Sequence, residues 1–171
     1  MRISLEPGEE TEEVRKFIDL VWPPREGAQD PVAHIAWEHD YDQRILTRTD
    51  SGKIVAQVAF VFRNGEWNGA PLRIGGIAGV GTDPSYRGQG LATAGLKRAV
   101  DILSAEGFDI GALFCADEMM PFYECLGWRH FGGVVFIAQP SQARMPWRNC
   151  MTLALKRNVS DGELYVGGLP W

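Results

Sequence analysis

Val80-Gly81-Thr82-Asp83-Pro84-Ser85-Tyr86-Arg87-Gly88-Gln89-Gly90-Leu91-Ala92 decides how this chain folds. Its first residues close a strand-like run, Arg73 to Thr82, that carries glycines at 75, 76, 79 and 81. Such glycines weaken a strand unless something comes close to its backbone or bulges it. Asp83 to Tyr86 has the composition of a turn. From Leu91 the positions Ala92, Leu96, Ala99, Val100 and Leu103 repeat with helical spacing, and Gly107 supplies a stop. The Arg/Gly loop therefore opens a helix. Backbone N–H groups gathered at the positive end of a helix dipole favour phosphate. Glycine lets a pyrophosphate lie on the backbone, and Arg87 adds a charge-assisted bond or braces the loop. Two other phosphate loops are excluded: no Lys-Ser/Thr follows the glycines, and a third glycine at dinucleotide-fold spacing is missing.

Working outward, Asp109 to Cys115 is a near-continuous apolar run, the pattern of a strand buried on both faces, and it completes a βαβ unit. Pro121 to Leu126 reads as a short helix stopped by Gly127, and 134–137 and 151–155 read as two more strands. Upstream, Thr11 is an N-cap for a helix with the stripe Val14, Phe17, Ile18 and Val21, ended by Pro23-Pro24. Val32, Ile35 and Ala36 predict a second short helix. Arg44 to Thr47, Ile54 to Phe62 and Leu72 to Thr82, separated by turns at Asp50-Ser51-Gly52 and at Asn64-Gly65 with Asn68-Gly69, predict three antiparallel strands.

A chain of 171 residues fits one domain, 1–171, and buries about 70% of its unfolded surface. Composition that is 45% hydrophobic and 23% charged is ordinary for a globular protein. No apolar run reaches the roughly 18 residues of a membrane span. The N-terminus turns acidic within ten residues and lacks the apolar core of a signal peptide, so cytoplasmic residence is expected. The net charge of −5 argues against nucleic-acid binding, which needs a basic face. Cys115, Cys125 and Cys150 are an odd number without metal-ligand spacing, so neither a disulfide framework nor a metal is expected.

The run from Val80 to Ala92, with Arg-x-x-Gly-x-Ala at its core, resembles the signature of GNAT N-acetyltransferases. Phe122-Tyr123-Glu124-Cys125-Leu126-Gly127-Trp128 is similar to the aromatic-Tyr helix and Gly-aromatic turn that follow the fifth strand in that superfamily. The resemblance implies an α+β acyl-CoA N-acyltransferase fold, with a mixed, mostly antiparallel sheet of six to seven strands and helices on both faces. It implies acetyl-CoA as co-substrate, its pantetheine held by Val80, Gly81 and Thr82 and its pyrophosphate by Arg87, Gly88, Gln89, Gly90, Leu91 and Ala92. It also implies Tyr123 as general acid, since a phenol of pKa about 10 can donate to a thiolate of pKa about 8.5. The expected oxyanion donor is a backbone N–H of the glycine-rich strand. Glu38, Asp40, Asp117, Glu118 and the carboxylate of Trp171 stay open as bases, and a water relay needs none of them.

Nearly the whole chain is similar to the aminoglycoside 2'-N-acetyltransferases, through Trp37-Glu38-His39, Gly111-Ala112-Leu113, Tyr123, Gly127-Trp128 and a terminal tryptophan. That resemblance implies a small-molecule amine, an aminoglycoside, met by Asp30, Glu38, Asp40, Ala78, Gly79, Phe114 and Trp171, with the extension 158–171 closing the acceptor site. One stretch departs from it: Gln142 to Arg148, acidic in those enzymes, here carries Arg144 and Arg148, which repel a polycation. Acetylation of another small amine or of a peptide N-terminus, and a noncatalytic acyl-CoA sensor, remain as alternatives. Trp67 and Trp147 are the hints of a homodimer.

Overall fold

A computed structural model describes residues 1–23 and 33–171; Asp30 and Val32 lie outside the described residues. β1 (Arg2–Pro7) is followed by α1 (Glu12–Val21), β2 (Gln43–Arg48), β3 (Ile54–Trp67) and β4 (Ala70–Thr82). Then come α2 (Leu91–Ala105), β5 (Ile110–Phe114), α3 (Met120–Glu124) and β6 (Arg129–His130). β7 (Val134–Gln139), β8 (Gln142–Trp147), β9 (Cys150–Ala154) and β10 (Glu163–Tyr165) complete the chain. The strands form one sheet in the order β6-β9-β5-β4-β3-β10-β7-β8, with β2 on the free part of the β3 edge and β1 outside it. Only β4 with β5 and β10 with β7 run parallel.

Each helix forms where the local chemistry asks for it. The Thr11 hydroxyl accepts from Val14 N at 3.3 Å, Glu12 and Glu13 face the positive end of the α1 dipole, and Val14 and Phe17 are buried. α2 buries Leu96, Ala99, Ile102 and Leu103 on one stripe. Successive β2 residues serve opposite faces: Ile45 packs toward α2, whereas Leu46 packs with Val14 and Phe17 of α1. Helices thus cover both faces, as expected from the sequence. The rest of the α1 side curls around a core of Ala59, Val61, Ile74, Phe131, Ile137, Leu164 and Trp171.

Three expectations change. The sheet has ten strands rather than six to seven. β1 is an edge strand with Ile3 and Leu5 exposed, β6 and β10 are two and three residues long, and β8 reads as a polar loop, so none carries a strong apolar signal. The turn after β3 is at Asn68-Gly69 alone, where φ of 50° and 77° suit a two-residue hairpin, while Asn64-Gly65 lies inside β3. No helix forms over 33–36: turn and coil there are tied down by others, Ala36 N donating to Gln139 Oε1 at 2.8 Å and Gln139 Nε2 donating back to Ala36 O at 3.0 Å.

Candidate active site

β4 and β5 pair from Ile74–Ile110 to Ile77–Leu113 and then separate. A bulge sits just beyond that point. Gly81 faces Gln57 and Ala78 faces Ala59, so Gly79 and Val80 together oppose Val58, with Gly79 at φ 50°. The separated strands open a cleft of about 630 Å³, bounded by Val80, Gly81 and Thr82, by the glycine loop, by Val21 and Trp22 at the end of α1, and by Phe122 and Tyr123.

The glycine loop has the geometry of an anion cradle. Gly88 and Gly90 are left-handed at φ 75° and 74°, a region that disfavours any residue with a Cβ. The first helical bond of α2 is Ala94 N to Gly90 O at 2.9 Å, so the amides ahead of Ala94 have no helical acceptor. Arg87 Nε donates to Thr82 O at 3.4 Å and holds the loop against β4. Gln89 is exposed and does not line the cleft.

Asp83, which sequence reading left as a turn residue, fixes the loop from behind. Its carboxylate is 2% exposed, receives Lys53 Nζ at 2.7 Å and caps the 3-10 turn Pro84–Tyr86 through Ser85 N at 2.8 Å. Lys53, and after it the Ser85 amide, hold this carboxyl below its ordinary range against the opposing effect of burial. The signal was present in the sequence as an Asp two residues before a Ser in an Asp-Pro turn.

Tyr123 stands across the cleft on α3, 7% exposed, with Phe122 at 5.1 Å and Trp128 at 6.4 Å between ring centroids. Burial, and to a lesser degree Cys115, pushes its hydroxyl up to about 12. Among the described residues no side chain hydrogen-bonds that hydroxyl, so its proton is available to a ligand.

The four β4 glycines have separate causes. A Cβ on Gly75 would strike Leu103 of α2, and one on Gly76 would come within 2.6 Å of the Trp171 indole. One on Gly79 would meet Gln57 Nε2 at 2.8 Å, and one on Gly81 would meet Trp22 at 2.6 Å. Packing against α2, the tail and the end of α1 accounts for glycine at 75, 76 and 81, and a left-handed φ of 50° favours it at 79.

On the other side of the separated strands lies a second cavity of about 840 Å³. Phe114, Cys115 and Ala116 at the end of β5, Trp37, Met145 to Asn149 and Trp171 line it. Phe114 and Trp171 pack at 5.0 Å and Trp37 meets Trp147 edge-on at 5.6 Å. Of the predicted acceptor residues, the structure brings Phe114 and Trp171 here. Ala78 and Gly79 sit in β4 at the bulge and line neither cavity, and Asp40 is exposed. Glu38 is committed elsewhere: its carboxylate pairs with Arg63 Nη2 at 2.7 Å and caps the amides of His39 and Asp40 at 3.0 Å. Asp117 receives Asn149 Nδ2 at 2.6 Å, and Glu118 is exposed. The tail 158–171 is built into the sheet through β10, which inserts between β3 and β7. Trp67 donates to Asp161 O at 2.7 Å, so both dimer hints, Trp67 and Trp147, are engaged within the chain. Among the described residues no His, Cys, Asp and Glu group could hold a metal, and no helix is long and apolar enough to cross a membrane.

A bulged, glycine-rich strand parting from its parallel neighbour beside a cradle of helix-start amides defines an acyl-transferase of the GNAT class, and the chain belongs to that family: the model described as an acetyltransferase (GNAT) domain matches residues 4–131. An aminoglycoside 2'-N-acetyltransferase of Mycolicibacterium fortuitum is 30% identical over 131 residues, 72% of this chain and 67% of that protein. A GNAT family N-acetyltransferase of Escherichia coli, solved with CoA, shares the fold at a TM-score of 0.66 and 17% identity, covering 96% of this chain and 88% of that one. A GNAT family acetyltransferase of Brucella melitensis, solved with acetyl-CoA, does so at 0.62 and 14%, covering 95% and 94%.

Proposed function

We propose that this chain transfers an acetyl group from acetyl-CoA to the primary amine of a small molecule, by direct attack while both are bound. The observation that carries this reading is that the amide cradle and Tyr123 open onto one cleft, where β4 and β5 part beside a second cavity. The backbone of Val80, Gly81 and Thr82 would hold the pantetheine arm, and the backbone from Arg87 to Ala92 the pyrophosphate. The amine nitrogen attacks the thioester carbonyl, a C–N bond forms and the C–S bond breaks. One proton leaves the nitrogen, by way of water, and one reaches the departing sulfur. A β4 amide beyond the bulge stabilises the oxyanion, and Tyr123 donates to the developing thiolate. The desolvated cleft raises the proton affinity of thiolate and phenol alike, which keeps donor and acceptor matched.

For the acceptor, the 30% identical relative makes an aminoglycoside the first class to test. Thiol release from acetyl-CoA, followed across a panel of aminoglycosides, simple amines and N-terminal peptides, tests both levels of the proposal. Turnover of no amine would sink the transfer reading and favour an acyl-CoA sensor; turnover confined to other amines would remove the aminoglycoside alone.

A further inference from the structure

We infer that the acceptor site is built for a primary amine carried on an aromatic body, with an acidic group turned toward Arg148, rather than for a polycation; this rests on the acetyl-transfer reading above. The second cavity is walled by two aromatic pairs, Trp37 with Trp147 and Phe114 with Trp171, and closed between them by Met145 and Pro146. Two packed aromatic pairs form faces and edges for a ring to lie against. The polar side chains of the lining include His34, Arg148 and Asn149, and among the described residues no acidic side chain lines the cavity. Of the described acids that adjoin lining residues in the chain, Glu38 pairs with Arg63 and Asp117 accepts from Asn149.

A polycation entering this space loses hydration at every ammonium and meets a guanidinium with no acidic side chain among the described lining residues, so its burial is disfavoured. An aromatic monoamine loses little, and its own apolar surface is what the walls bury. The same environment answers the question of the base. Desolvation lowers the pKa of a buried ammonium, so the amine sheds its proton to water without a dedicated carboxylate and presents the neutral nucleophile the thioester needs.

The test uses the full chain with acetyl-CoA and compares phenethylamine, 4-(2-aminoethyl)benzoate, tobramycin and spermine by thiol release. The expected result is kcat/KM for both arylalkylamines more than about tenfold above the two polycations, the carboxylate-bearing amine ahead, and that lead lost in Arg148→Gln. Trp147→Leu is expected to raise KM for phenethylamine about tenfold with kcat and melting temperature near the parent's, and Trp37→Leu serves as the second variant should the first fail to fold. Faster turnover of tobramycin or spermine overturns the inference and leaves acetyl transfer standing. No turnover of any amine overturns the inference and the transfer reading together, and calorimetry with acetyl-CoA then reports whether the cofactor cleft stands.

Discussion

Trp171 donates its indole Nε1–H to the main-chain carbonyl of Ile77 at 3.0 Å, and Ile77 is the last β4 residue that pairs with β5. The ring of the tail therefore sits where the two strands part, against Gly76 and Phe114, with one side on the second cavity. Pro170 is held beside it by the Glu38 amide at 2.7 Å, which ties the segment 33–42 to the same corner. The wall of the second cavity and the strand separation are thus one packed unit.

Gly76→Ala tests that unit. A methyl group there would lie 2.6 Å from the Trp171 ring and 2.9 Å from the Val61 carbonyl, so the indole has to move. Overpacking of this kind costs about 1–3 kcal/mol of stability. Denaturant unfolding should show it, and acceptor KM should rise while calorimetric affinity for acetyl-CoA, bound on the other side of β4, stays within about twofold.

Tyr123→Phe removes the hydroxyl and keeps the ring against Phe122 and Trp128. Loss of a general acid lowers kcat by about 10²-fold, with acetyl-CoA binding and melting temperature unchanged. A variant as active as the parent would assign the protonation step to water.

The pH profile carries the same residue's signature. Its phenol is pushed up to about 12, so the protonated, donating form persists below that value and is lost only above it. At saturating substrates kcat is expected to hold level through about pH 10, where an ordinary phenol is half ionised. A fall centred on pH 10 would show an unshifted donor.

Asp83→Asn takes the negative charge from behind the cradle. It removes the pairing with Lys53 Nζ and weakens the hold on Ser85 N, so the loop loses its brace and KM for acetyl-CoA should rise about tenfold, a loss of about 1.4 kcal/mol of binding. The Asp83 carboxyl titrates below its ordinary range, so its stabilisation is present above an unfolded pKa of about 3.9 and fades as pH falls through the lower folded value. The melting-temperature gap between parent and variant should accordingly narrow on acidification below about pH 4. An unchanged gap would show that the ion pair carries no stability.

Much of the cofactor side was legible in the residues. Gly88 and Gly90 at a helix start, the strand before them and the aromatic-Tyr helix after β5 are contiguous in the chain, and the helix stop at Gly107, at φ 80°, was read from spacing alone. The β4 glycines were visible but their cause was not: Leu103, Trp171, Gln57 and Trp22 approach them from four distant places. Glu38 read as a free acid because nothing local announces Arg63 as its partner. β8 read as a loop because Arg144, exposed on an edge strand, pairs with Glu66 and lies over Tyr165.

The sequence by itself determined the order of the longer elements, the helix that begins at Gly90, the glycine loop ahead of it and the short aromatic helix that carries Tyr123, because left-handed glycines, caps and apolar periodicity act between neighbours a few residues apart. Only the tertiary structure decided the second cavity. Residues 34–37, 114–116, 145–149 and 171 meet because β10, three residues long and weakly marked, inserts between β3 and β7 and curls the sheet over its own core. Contacts of that range are set by the packing of the whole sheet, and no local pattern encodes which charges they pair or which they leave out of the cavity.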